Sequence, residues 1–184
     1  MWRPRRRFVV LAVLPLGFAT WWHFPSATRF NIEGSVADVL EHASTWELLS
    51  ITGVHPPELE AKLNAIESGD PMPEELFRWH SVLERAIVDE NATRRTLTRA
   101  FNRARRGWRG WHVMCFNPRH VIRASLPTGE GVELLICFEC QQYKAYPTGS
   151  KTCIAQGNIS DRQREVFDSV YRSFGLKIAP RSCD

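Results

Sequence analysis

The chain has 184 residues, room for one domain plus an address segment. Its 43% apolar and 11% aromatic content excludes a disordered chain and can supply a packed core. The formal charge of +4 says little about the domain itself, because Arg3, Arg5, Arg6 and Arg7 account for all of it and no acid precedes Glu33. The remainder is neutral but two-faced. Residues 29–90 hold 4 basic and 13 acidic groups, and residues 91–184 hold 16 basic and 7 acidic groups. Either the two halves complement one another in the fold, or the second presents a basic face to an anionic partner.

Met1 to Arg7 reads as a basic n-region. Phe8 to Phe24 follows with 17 residues free of Asp, Glu, Lys and Arg. That run suits either a signal peptide or an N-terminal membrane anchor over 1–24, and both deliver the following domain across or into a membrane. Gly17 and Ala19 have the spacing of a cleavage site, with Pro15 ahead of them, whereas Trp21 and Trp22 suit an anchor's interfacial end. Arg5-Arg6-x-Phe8 also fits a twin-arginine pattern.

Residues 25–34 read as a linker and 35–180 as a single domain. Ser35 is the expected N-cap of a helix carrying Val36, Val39, Leu40 and Ala43. A short strand follows at Trp46–Ile51. A turn-rich stretch comes next, with a short helix expected at 58–67. Leu76 to Val88 is rich in aromatic and β-branched residues and reads as a strand. The segment from Glu90 to Thr93 offers caps for a helix whose apolar stripe is Leu97, Ala100, Phe101 and Ala104, ending at Gly107. Its other face carries Arg94, Arg95, Arg99, Arg103, Arg105 and Arg106. Such a row is either a solvated face or a contact for anionic lipid or protein; nucleic acid is not the expected partner.

Two extended runs, 111–126 and 132–146, flank the turn Pro127-Thr-Gly-Glu-Gly131 and predict a hairpin with Ala124 opposite Val132. A third strand is expected within 152–159. A closing helix follows, capped by Ser160 or Asp161, with Val166, Phe167, Val170, Tyr171 and Phe174 on one face and Gly175 at its end. Strand clusters with tight turns and helices with single apolar stripes predict an α+β fold, an antiparallel sheet with helices packed on one face in two layers.

The candidate chemistry lies on the hairpin. The proposed register brings Cys115 opposite Gln141 or Cys140, and strand alternation would turn Cys137 to the other face. Three readings remain open. Cys115 pairs with Cys137 or Cys140 in a disulfide, as an exported protein permits. Cys115, His120, Cys137 and Cys140 bind zinc, although the C-x4-H spacing is unusual. Or the cysteines are buried, inert thiols. Five cysteines leave at least one unpaired within the chain. Arg119 beside His120 would favour a neutral imidazole. No other cofactor is indicated.

The segments Cys115-Phe-Asn-Pro-Arg-His120 and Leu-Leu-Ile-Cys137-Phe-Glu-Cys140 together resemble an uncharacterised group of bacterial exported proteins with a CFxPRH(G)…ICFEC hairpin. The likeness spans most of residues 35–180. It implies a shared fold and export and implies no activity; Val121 stands where the pattern has Gly. The functional expectation is an exported or membrane-anchored, non-enzymatic structural or binding module. Its candidate site is Cys115, Arg119, His120, Cys137 and Cys140. The alternative is a metal- or thiol-dependent enzyme using the same cluster.

Overall fold

A computed structural model describes residues 32–54, 59, 73–106 and 115–180. The N-terminal segment over 1–24, Gly107 and the helix expected at 58–67, apart from the buried Leu59, lie outside these residues. Among the described residues no helix is long and apolar enough to cross a membrane.

The elements run α1 (Ile32–His42), β1 (Thr45–Thr52), β2 (Leu76–Phe77), β3 (His80–Ile87), α2 (Asn91–Arg106), β4 (His120–Ser125), β5 (Gly131–Cys137), β6 (Gln142–Pro147), β7 (Ala155–Asn158), a 3-10 turn (Asp161–Gln163) and α3 (Arg164–Ser173). Helices and strands together make a mixed α+β chain with one curled, seven-stranded sheet. The strand order is β2-β3-β1-β4-β5-β6-β7, and every neighbouring pair is antiparallel.

The register expected for the first hairpin holds: Ala124 faces Val132. Three local expectations change. Helix α1 begins at Ile32, inside the expected linker, so Ser35 sits within the helix rather than capping it. The run from Leu76 to Val88 is two strands. They meet at Arg78 and Trp79, with φ of 48° and 67°. Consecutive left-handed residues make the tight turn that usually takes Asn-Gly, so the sequence carries no turn signal there. Arg78 Nε is instead held 2.6 Å from Glu133 Oε2, and its guanidinium lies 4.0 Å from the Tyr146 ring centroid. The run from 132 to 146 is also two strands, β5 and β6, joined by a turn through Phe138–Gln141 in which Gln141 has φ of 53°.

Strand alternation sorts the core. The larger cluster takes Trp46, Leu48, Ile122, Leu134 and Ile136 from the strands. It also takes Val36 and Leu40 from α1, Leu97 and Phe101 from α2, and Phe167 and Tyr171 from α3. The smaller cluster takes the intervening strand positions Leu49, Ile51, Val121 and Leu135, joined by Phe77. Period-two alternation alone generates this division.

The charge asymmetry is partly resolved inside the fold. Arg123 pairs with Glu47 at 2.7 Å and Lys177 with Glu84 at 3.3 Å, so basic groups of the second half meet acids of the first.

Candidate functional site

Residues 117–119 lead into β4 and are already tied to its neighbours. The Ile51 amide donates to the Arg119 carbonyl and the Arg119 amide donates to the Ile136 carbonyl, both at 3.2 Å. Pro118, which has no N–H, sits where regular pairing has not yet begun. This places His120 at the end of the sheet beneath α3.

His120 is 3% exposed. Its Nε2 lies 2.8 Å from Asp168 Oδ1. Tyr171, Phe138 and Phe167 surround the ring edge-to-face, with centroids 4.7, 5.5 and 5.9 Å away. Burial pushes the imidazole below its ordinary value; Arg119 and Arg164 add to this, and Asp168 opposes it. Burial would raise the Asp168 carboxyl, but the His120 hydrogen bond together with Arg172 and Arg164 holds it below the ordinary carboxylate range. Both directions favour a neutral imidazole donating Nε2–H to a carboxylate. Nδ1 is then an acceptor, buried and without a hydrogen-bond partner among the described residues.

A cleft of about 270 Å³ opens beside this pair, between residues 117–120, the β5–β6 turn, α3 and the segment from Ile178 to Pro180. Arg119 and Glu139 form a bidentate ion pair on its wall, with Nη2 to Oε2 at 2.9 Å. Arg172 reaches Glu165 at 3.3 Å and Asp168 at 3.6 Å. Arg164, half-buried, makes no ion pair among the described residues. No Ser, Thr, Cys or Lys is among the described residues lining the cleft.

The cysteines differ from expectation in their pairing. Cys137 and Cys140 lie at disulfide distance from each other, with Cα atoms 5.3 Å apart. Alternation was expected to turn Cys137 away. It does not, because the strand ends at Cys137 and a turn returns the chain three residues later. Cys115 is not in the pair and remains an exposed free thiol, yet its Sγ lies 3.2 Å from Cys140 Sγ, although the β4–β5 ladder ends before either residue. The structure thus splits the candidate cluster. Cys115, Cys137 and Cys140 gather at the sulfur pair, while Arg119 and His120 turn to the acids Glu139 and Asp168. Among the described residues no group of three or more His, Cys, Asp or Glu side chains is arranged to hold a metal, and His120 Nε2 is engaged by Asp168.

The arginine row of α2 is not uniform. Arg94 turns inward and donates to the carbonyls of Val88, Ala43 and Ser44 at 2.7–3.2 Å. Arg105 lies 5.8 Å from the centroids of both Phe101 and Tyr143. Arg95, Arg99, Arg103 and Arg106 are exposed.

Asp168, Glu139 and Arg164 are site residues that no sequence motif marked. Asp168 precedes Tyr171 by three residues and so shares its buried helix face; an acid on an apolar stripe was the available signal. No family model, curated protein or solved structure matches the chain.

Proposed function

We propose that the chain is an exported or membrane-anchored, non-enzymatic binding module, delivered by its N-terminal segment. Its cleft beside His120 takes a small molecule bearing a carboxylate or phosphate. The observation that carries this reading is Arg164. Arg119 is held by Glu139, and Arg172 by Glu165 and Asp168, whereas Arg164 acts on Asp168 only through space and makes no ion pair among the described residues, which leaves its N–H groups to an oxyanion. His120 acts as a tether between β4 and α3 rather than as a base, because one ring nitrogen is taken by Asp168 and the other is buried. The same reading takes the fold as two layers with the three helices on one sheet face. In its support, all three described helices contribute to one core cluster and none of them to the other. The Cys137–Cys140 pair accords with an oxidising destination.

Thermal melts with phosphate and short dicarboxylates as probes test the binding reading. A probe at about ten times its Kd should stabilise the protein by about 1.4 kcal/mol, or about 3–5 °C at this size. The shift should vanish in Arg164→Ala and persist in Arg162→Ala, whose side chain lies outside the cleft. No shift with any probe, or one retained in Arg164→Ala, would overturn it. Export is tested by fusing residues 1–34 to a reporter; a reporter left in the cytoplasm refutes that part.

A further inference from the structure

We propose that Cys115, Cys137 and Cys140 form a thiol–disulfide relay. In it Cys115 is the solvent-facing nucleophile that opens an otherwise inaccessible disulfide to small external thiols. Cys137 and Cys140 are each 1% exposed, so a thiol in solution cannot reach them directly. Cys115 is exposed and its Sγ stands 3.2 Å from Cys140 Sγ. That separation is within the roughly 3–3.5 Å of a near-attack arrangement.

In the first step the Cys115 thiolate attacks Cys140 Sγ. A Cys115–Cys140 bond forms, the Cys137–Cys140 bond breaks, and the electron pair leaves on Cys137 Sγ. One thiolate replaces another, so nothing is oxidised overall. The backbone favours this direction. The Cys140 amide donates to Cys137 Sγ at 3.0 Å and is placed to stabilise the departing charge. The Asn117 amide donates to Cys140 Sγ at 3.3 Å. Asn117 is two residues from Cys115, so the segment carrying the nucleophile is itself pinned to the sulfur it attacks.

In the second step an external thiol attacks Cys115 Sγ, forming a mixed disulfide and releasing the Cys140 thiolate. A second external thiol then attacks the mixed disulfide, leaving as a disulfide and restoring Cys115. Two external thiols are oxidised, and the Cys137–Cys140 pair is reduced to two thiols. The substrate class is a low-molecular-weight thiol.

The full chain carrying Cys153→Ser and Cys183→Ser retains only these three cysteines and serves as the parent. With glutathione as probe, acid quenching, alkylation and peptide mapping should find both Cys137–Cys140 and Cys115–Cys140 linkages, and a glutathione adduct on Cys115. Adding Cys115→Ser should slow reduction of the remaining pair by at least about tenfold, because direct attack on a buried disulfide is the only route left. A reduction rate within about twofold of the parent would overturn the relay. So would parent peptides lacking both the Cys115–Cys140 linkage and the Cys115 adduct, a measurement that needs no substitution at the site. A zinc ion held by the three cysteines of the purified protein, without a disulfide, would also overturn it.

Discussion

Replacing Asp168 by alanine would strand the His120 Nε2–H beneath three aromatic rings. The bond it removes is 2.8 Å long, between side chains that are 4% and 12% exposed. A hydrogen bond to a charged acceptor contributes about 1.5–3 kcal/mol, and an unsatisfied buried donor costs about 1–3 kcal/mol. These overlap, so the expected loss is about 2–4 kcal/mol, or roughly 5–15 °C in Tm. Asp168→Asn keeps an acceptor and should lose about half as much. The pH dependence has a definite sign. Burial holds folded His120 below its ordinary 6.5, so as pH falls past that value the unfolded chain takes up a proton that the folded chain refuses. Stability contributed by His120 is full above that range and falls by at most about 1.4 kcal/mol per pH unit below it. Asp168, held below the ordinary carboxylate range, contributes stability that is lost only at lower pH still. Urea unfolding of wild type, His120→Gln, Asp168→Ala and the double variant at pH 7.5 and 5.5 measures all of this. His120→Gln should flatten the slope between the two pH values. Single losses below about 0.5 kcal/mol, or a coupling energy below about 0.5 kcal/mol, would refute the tether.

Two further outcomes test how the charged groups are used. Glu133 is 4% exposed and holds Arg78 and Arg123, so Glu133→Ala should cost about 2–4 kcal/mol in urea unfolding, more than Glu133→Gln. Arg94→Ala should cost about 2–3 kcal/mol by releasing three backbone carbonyls, whereas exposed Arg99→Ala should stay within about 0.5 kcal/mol; equal effects would show that α2 is merely a solvated basic helix.

Much of the chain is governed by its neighbours in sequence, and that part was legible. The stripe Leu97, Ala100, Phe101 and Ala104 repeats at helical spacing and is buried in α2 as expected. The turn at 127–131 fixed the pairing of Ala124 with Val132, because a short hairpin loop leaves little freedom of register. Cys115 does lie beside Cys140, but at the turn beyond the end of β5 rather than along the ladder. Only the tertiary structure decided where extended runs fold back on themselves. Arg78-Trp79 and Phe138–Gln141 turn without Gly, Asn or Pro at the positive-φ positions, held by Glu133, Tyr146 and the sulfur pair across the sheet. It also decided which sulfurs join, since the turn brings Cys137 back to Cys140 where alternation would have parted them. His120 and Asp168 are 48 residues apart, and no local periodicity relates them. Their bond follows from how α3 settles over β4, where an apolar stripe with one acid in it meets an imidazole whose proton affinity burial lowers.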